Sequence, residues 1–286
     1  PSRQRRTKRV GRRVRSERGS LRHSRLEQPD PELLLVVRPE ASPPQPGAAR
    51  AGMFARGEFV AVLGPNGSGK TSLLRMLLGQ VPPTAGSVEV TTSVGYVPQQ
   101  HADDADPLAV RGRDLVGFGV DGSRWGIGWR DRRRRRELVD AAVAQVDASG
   151  FASRPFGLLS GGEQQRLRVA QALTRDPGLL LCDEPLSSLD PGSGARILEL
   201  LDARRRSAGT ALVFVTHEIN PVLPYVDRVV YLAGGRFVVG TPDEVMRTEV
   251  LSALYGTRVD VVRIGDRLVV LGTEDGHHCE DGSAGG

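Results

Sequence analysis

Continuous apolar runs alternate with stretches of helical periodicity over most of the chain. Residues 59–63, 179–182 and 211–215 are short, wholly apolar and bounded by turn residues, the pattern of strands buried on both faces. Between them, apolar positions recur at helical spacing over 72–78, at Leu167, Ala170 and Leu173, and over about 192–207, before Gly209. Strands that alternate with helices in this way predict a parallel sheet covered by helices on both sides. Weaker alternating segments at 87–90, 94–98 and 229–232 read as further strands, and 33–37 reads as an edge strand. Residues 137–148 read as a helix, with the arginine-rich run 130–136 as its exposed start. Near the end, Thr241-Pro242-Asp243-Glu244 has the capping chemistry of a helix start. The segments 259–264 and 267–271 then flank Gly265-Asp266 as a hairpin.

The ends of the chain have a different texture. Residues 1–32 are polar and arginine-rich without apolar periodicity, and 274–286 form a glycine-rich polar tail; both are expected to be disordered. The arm changes the meaning of the net charge of +5. It carries the basic excess, so the remainder is net negative, and no nucleic-acid partner is expected from charge alone. Cys182 and Cys279 lie far apart in unlike contexts, which suggests a reducing compartment rather than a disulfide framework. Cys182 reads as a small buried filler. The adjacent His277, His278 and Cys279 are ligand types at a spacing poorly suited to a closed metal site. No apolar run is long enough to span a bilayer, and the first residues lack the apolar segment of a signal peptide.

The candidate chemistry begins at Gly64-Pro65-Asn66-Gly67-Ser68-Gly69-Lys70-Thr71, followed by Ser72. This matches the loop that cradles nucleotide phosphates, and it stands where such a loop must stand, between a strand and a helix. Glycines let backbone N–H groups close on anionic oxygens, and the helix start adds its positive dipole end. Lys70 is expected to reach the β- and γ-phosphates and Thr71 to bind Mg²⁺. Lysine is rare in this chain; Lys8 and Lys70 are its only two among 39 basic residues. A compact point charge at this position is therefore consistent with a chemical requirement that arginine cannot meet. Asp183-Glu184 closes a buried apolar run, where open α/β sheets place ligand chemistry. Asp183 is expected to hold the Mg²⁺ shell and Glu184 to orient or deprotonate the attacking water.

Taken together, these residues resemble the ATP-binding subunits of ABC transporters. The stretch from Leu159 through Ser160-Gly161-Gly162-Glu163 to Arg166 is similar to the family signature. Residues 187–190, ending in Asp190, resemble its D-loop, His217 its switch histidine and Gln99 its Q-loop glutamine. The resemblance covers about residues 54–273. It implies a P-loop NTPase core with a parallel sheet, an antiparallel β subdomain and a helical signature subdomain over about 101–175, all within a domain spanning 33–273. It further implies ATP and Mg²⁺ as cofactors, with Gln99 near the metal or the water and His217 on the γ-phosphate. Two copies would pair head to tail, the signature of each covering the ATP of the other. The partners would be an integral-membrane permease and, indirectly, a metal-binding protein outside the membrane. The setting would be the cytoplasmic face of the cell membrane. One departure stands out: the family stacks an aromatic on adenine upstream of the phosphate loop, and none occurs between Glu32 and Met53.

Within the family the chain is most similar to zinc and manganese importers, in residues 99–119, 216–224 and 241–272. Import of an iron–siderophore or haem is the alternative, since those ATPases share every ATP motif. A soluble ABC ATPase is a third reading, set back by the presence of one cassette and no long coiled-coil insertion. A nucleic-acid module built on the basic arm is a fourth, and the arm lacks the aromatics such binding uses.

Overall fold

A computed structural model describes residues 12–14, 33–38, 53–84, 87–99, 110–122 and 132–272. The elements in order are β1 (Arg12–Val14), β2 (Leu33–Arg38), β3 (Met53–Ala55), β4 (Phe59–Leu63), α1 (Lys70–Leu77), β5 (Ser87–Val90) and β6 (Val94–Val97). Next come α2 (Gly112–Asp121), α3 (Arg132–Gln145), α4 (Gly161–Leu173), β7 (Leu179–Asp183), α5 (Pro191–Ala208) and β8 (Ala211–Val215). The chain closes with β9 (Arg228–Ala233), β10 (Arg236–Gly240), α6 (Pro242–Val245), α7 (Thr248–Tyr255), β11 (Val259–Ile264) and β12 (Arg267–Gly272).

The main sheet has the order β10-β9-β4-β8-β7-β6, parallel throughout except for β10, which pairs antiparallel with β9. Every residue of β4, β7 and β8 is buried, as their unbroken apolar runs predict. Their pleat sends alternate residues into two cores. Phe59, Ala61, Leu180, Cys182, Leu212 and Phe214 face one cluster, shared with α4, α5 and the closing hairpin. Val60, Val62, Leu179, Leu181, Val213 and Val215 face the other, shared with α1 and with Phe54 and Val88 of a second sheet. That second sheet is antiparallel and runs β1-β5-β2-β3.

Register matters more for the site than the layers do. Val62 and Asp183 both pair with Val215, and Val97 pairs with Cys182. The carboxyl ends of β4, β6, β7 and β8 are therefore level, so the loops beyond them emerge side by side.

Several expectations change. The segment expected as an edge strand, β2, lies between β5 and β3, because β3 pairs along its other side. Arg12–Val14 of the basic arm forms a strand on β5 rather than remaining unstructured; the rest of the arm and the polar tail lie outside the described residues. β3, α2 and β10 carry no strong sequence signal, and β10 emerges as the return strand of a hairpin turned by Gly234 and Gly235, both at positive φ. The helix start at Thr241 is confirmed by a full capping box with Glu244. It gives only α6, and Met246 at φ −83°, ψ 62° breaks the path before α7. The arginine run does open a helix. Arg133 pairs with Glu137 one turn on, and Arg135 pairs with Asp121, fastening α3 to the end of α2.

Cys182 is fully enclosed in β7, and burial, followed by the neighbouring Asp183 charge, pushes its thiol pKa far up. The thiolate is the reactive form, so Cys182 is expected to resist alkylation up to alkaline pH. In a Cys279→Ser background, iodoacetamide labelling with mass spectrometric detection should modify Cys182 only on unfolding. Labelling under native conditions would contradict the packing of β7.

Candidate functional site

β4 delivers the chain into the loop 64–69, and α1 begins directly at Lys70. Gly64 stands at φ 144°, and a Cβ there would lie 2.2 Å from the Leu232 carbonyl oxygen on β9. No side chain fits, so the first glycine of the loop is required by the sheet itself. Gly69, the N-cap of α1, offers no side-chain cap, which leaves the helix's first N–H groups available to an anion. Lys70 is buried, and its Nζ donates to the carbonyl oxygens of Gly64 at 2.8 Å and Pro65 at 3.0 Å. The ammonium therefore folds back over the loop. Ser68 Oγ is buried there with no hydrogen-bond partner, a polar atom with bonding capacity to spare.

Three side chains converge opposite this loop. Glu184 follows β7 with its backbone at φ 44°, a left-handed conformation that costs a non-glycine residue about 1 kcal/mol or more. Its N–H donates to the Val215 carbonyl at 3.0 Å, which holds the turn. Gln99 Nε2 donates to Glu184 Oε2 at 3.2 Å, and His217 Nδ1 lies 3.5 Å from the same oxygen. The sequence separates these residues widely; the level strand ends bring them together. Thr216 anchors the histidine turn, its N–H donating to the Val62 carbonyl and its hydroxyl accepting from Glu218 N–H.

Asp183 is buried beside them. Burial and then the Glu184 charge push its carboxyl pKa up, against smaller opposing contributions from Tyr96, Lys70 and Arg75. Tyr96 donates its hydroxyl to Asp183 Oδ2 at 3.4 Å, a contact that sequence spacing could not reveal because Tyr96 reads there as an ordinary strand residue. The phosphate loop, Thr71, Ser72, Gln99, Glu184 and His217 all line one cleft of about 900 Å³. Thr71, Asp183 and Gln99 carry hard oxygen donors of the kind a small divalent cation takes. A cation there would also offset the charge that Asp183 and Glu184 place close together. The donor set therefore fits Mg²⁺. No group of three or more His, Cys, Asp or Glu residues that could hold a metal ion by themselves occurs among the described residues, and His277, His278 and Cys279 lie outside them.

The signature segment is built differently. Ser160 caps α4, its Oγ accepting from Glu163 N–H at 3.3 Å while Glu163 Oε2 accepts from Ser160 N–H at 2.8 Å. Asp190 caps α5, its Oδ1 accepting from Ser193 N–H at 2.9 Å; hydrogen bonding from the Ser193 side chain, and then from its backbone N–H, lowers the Asp190 carboxyl pKa. The two helix starts touch: a Cβ on Gly162 would sit 2.6 Å from Ser193 Oγ. Ser160, Gly161, Gly162, Glu163 and Asp190 do not line the cleft that holds Lys70. The folded chain thus places the signature helix start outside the cleft that holds Lys70. Of the upstream aromatics, Phe54 is buried in a core cluster and offers no platform for a base.

Comparison with known proteins agrees with this geometry. Residues 52–187 match the ABC transporter family. The hemin import ATP-binding protein HmuV of Rhodopseudomonas palustris (strain HaA2) is 37% identical over 72% of this chain and 83% of its own length. The zinc import ATP-binding protein ZnuC 2 of Aliivibrio fischeri is 34% identical over 71% of this chain and 79% of its own. Among solved structures, an inward-facing metal-chelate-type ABC transporter aligns with a TM-score of 0.70 at 28% identity, covering 84% of this chain and 96% of that one. The chain belongs to the ATP-binding subunits of ABC importers, and it is an ATPase of that family.

Proposed function

We propose that this subunit hydrolyses ATP between two head-to-tail copies of itself and so drives a membrane permease that imports a metal-bearing cargo. The observation that carries the catalytic part is the placing of Glu184 between Gln99 and His217, across the cleft from the phosphate loop.

In this reading the loop 64–72 wraps the phosphates, and Lys70 moves its ammonium from the loop carbonyls to the β- and γ-phosphates. Thr71, Asp183 and Gln99 would hold Mg²⁺, which neutralises charge on the phosphates when bound. Glu184 takes a proton from water as the water oxygen bonds to the γ-phosphorus and the bridging bond to the β-phosphate breaks. His217 hydrogen-bonds the γ-phosphate, and Gln99 orients the Glu184 carboxylate. Ser160, Gly161, Gly162 and Glu163 of one copy would close over the ATP of the other, with Asp190 beside them. Release of the γ-phosphate removes the bridge between the copies, which then part. The permease would hold the pair at the cytoplasmic face of the membrane; no helix among the described residues is long and apolar enough to cross a membrane.

The cargo reading rests on relatives and on segments away from the chemistry. Zinc is supported by the zinc import relative and by residues 216–224 and 241–272; residues 100–109 of the segment after Gln99 lie outside the described residues. A chelated cargo such as haem is the second reading, favoured by the hemin import relative and by the metal-chelate-type structure. Neither relative's name includes manganese. A metal-binding protein outside the membrane belongs to either reading.

Glu184→Gln should keep ATP binding but reduce turnover by about 10²–10⁴-fold, the usual weight of a general base; steady-state phosphate release checks this, and near-normal turnover would remove Glu184 from the role. Lys70→Arg should also fail in ATPase assays despite its retained charge, because a planar fork does not replace a point charge between phosphates. Deleting the gene should lower cell-associated zinc in zinc-poor medium, restored by the wild type and not by Glu184→Gln. Normal zinc with loss of growth on haem as iron source would assign the chelated cargo instead.

A further inference from the structure

The switch turn is pinned at both ends, and the second pin comes from an unexpected quarter. Thr216 is fixed to β4 through the Val62 carbonyl at 3.1 Å. Four residues on, Asn220 Nδ2 donates to the Leu268 carbonyl at 2.9 Å while its Oδ1 accepts from Leu268 N–H at 2.7 Å. A side-chain amide here satisfies both backbone groups of one residue, as a neighbouring strand would. Leu268 sits in β12, which pairs with β11 alone. Its outward edge would otherwise leave an N–H and a C=O without partners at a position only 5% exposed, an arrangement that is costly. Asn220 thus acts as a one-residue third strand.

The hairpin behind this contact is itself anchored. Val261 N–H donates to Thr248 Oγ1 at 2.9 Å, and Ser252 exchanges two hydrogen bonds with Val259, at 3.0 and 3.1 Å. The Tyr231 and Tyr255 hydroxyls meet at 3.0 Å, joining α7 to β9 of the main sheet. Val259, Val270 and Gly272 of the hairpin also form a wall of the nucleotide cleft, together with His217 and Ile219. His217, by contrast, has a side chain 56% exposed, with the Glu184 oxygen 3.5 Å away. Its location is therefore set by its backbone, between Thr216 and Asn220.

We propose that Asn220 is a positioning residue for His217, and that the β11–β12 hairpin is thereby part of the hydrolytic apparatus rather than an appendage. This rests on the reading of His217 as the γ-phosphate contact. Two hydrogen bonds fix the distal end of the turn to a frame tied to the main sheet. Without them the turn keeps Thr216 and the buried Ile219, but its end is no longer fixed to the hairpin, and the imidazole loses its fixed distance to the Glu184 oxygen and to the phosphate position. The binding of ATP, made by the loop 64–72, does not depend on this tether.

The test is steady-state ATPase kinetics of the full chain. Asn220→Ala should lower kcat about tenfold or more, because a misplacement of about 1 Å is enough for that, while KM for ATP changes by less than about twofold. Thr210→Val removes a buried hydrogen bond to the Pro177 carbonyl, remote from the cleft, and serves as a control for general destabilisation. It should lose a comparable part of the melting temperature and keep wild-type kcat. In a His217→Ala background, Asn220→Ala should cost no further activity, since the group it positions is gone. If Asn220→Ala folds poorly, Asn220→Asp keeps the bond to Leu268 N–H, opposes the Leu268 carbonyl and should lower kcat in the same way. Wild-type kcat in the Asn220 variants, with turnover lost in His217→Ala, would overturn the tether and leave the site reading standing. An additive loss in the double variant would likewise show that Asn220 acts through something other than His217. Full turnover in His217→Ala would overturn the site reading, and the tether with it.

Discussion

Strands β4, β7 and β8 have no exposed residue on either face, so no polar side chain can leave them until the strand ends. The constraint places the chemistry. Hydrophobic burial on both faces holds these strands, at about 25 cal/mol per Å² of apolar surface removed from water. Parallel pairing with level register then puts Leu63, Asp183 and Val215 at one edge. The phosphate loop, Glu184 and the histidine turn each begin where one of these strands ends. A cleft assembled from consecutive carboxyl ends is the expected ligand position of an open α/β sheet. Here its precision derives from strand registry rather than from the loops.

Within that cleft the charges are not at rest. Asp183 and Glu184 are adjacent acids, and burial makes the first of them a reluctant anion. Lys70, the one lysine of the cassette, is bonded to its own loop. Glu184 is held in a left-handed conformation by Val215 and steadied by Gln99 and His217. Such a site is organised around positions that anionic and cationic ligands would occupy. The strained glutamate stays in place because the sheet overdetermines its neighbours. The signature helix start, with its own capping box, does not line that cleft, which is why the proposed chemistry needs a second copy.

Much of this is legible in the sequence, for identifiable reasons. Buried strands announce themselves as unbroken apolar runs, and 59–63, 179–182 and 211–215 do so to within a residue. The helix start at Thr241 is legible because capping is local chemistry, whereas the cap at Asp190 lies just ahead of the helical pattern read from about 192. The position of β2 inside its sheet is not, because it depends on β3, whose three-residue segment carries no pattern of its own. The break between α6 and α7 is hidden for a similar reason: it lies in the backbone of Met246, a residue with no breaker signal. In the site, the types of Gln99, Glu184 and His217 can be read, but their convergence on one carboxylate oxygen cannot. Tyr96 and Asn220 read as ordinary residues, since each finds its partner only through tertiary pairing across the fold.

The central claim is that the signature of one copy completes the ATP site of another, and nucleotide-dependent assembly tests it most directly. Sedimentation of Glu184→Gln with Mg²⁺ and ATP should show a dimer. The double variant Glu184→Gln, Ser160→Arg should sediment as a monomer under the same conditions, yet bind a fluorescent ATP analogue with unchanged affinity as a monomer. If Ser160→Arg instead abolished nucleotide binding within the single chain, or if the double variant still dimerised with ATP, the two surfaces would not meet across copies and the account would be wrong.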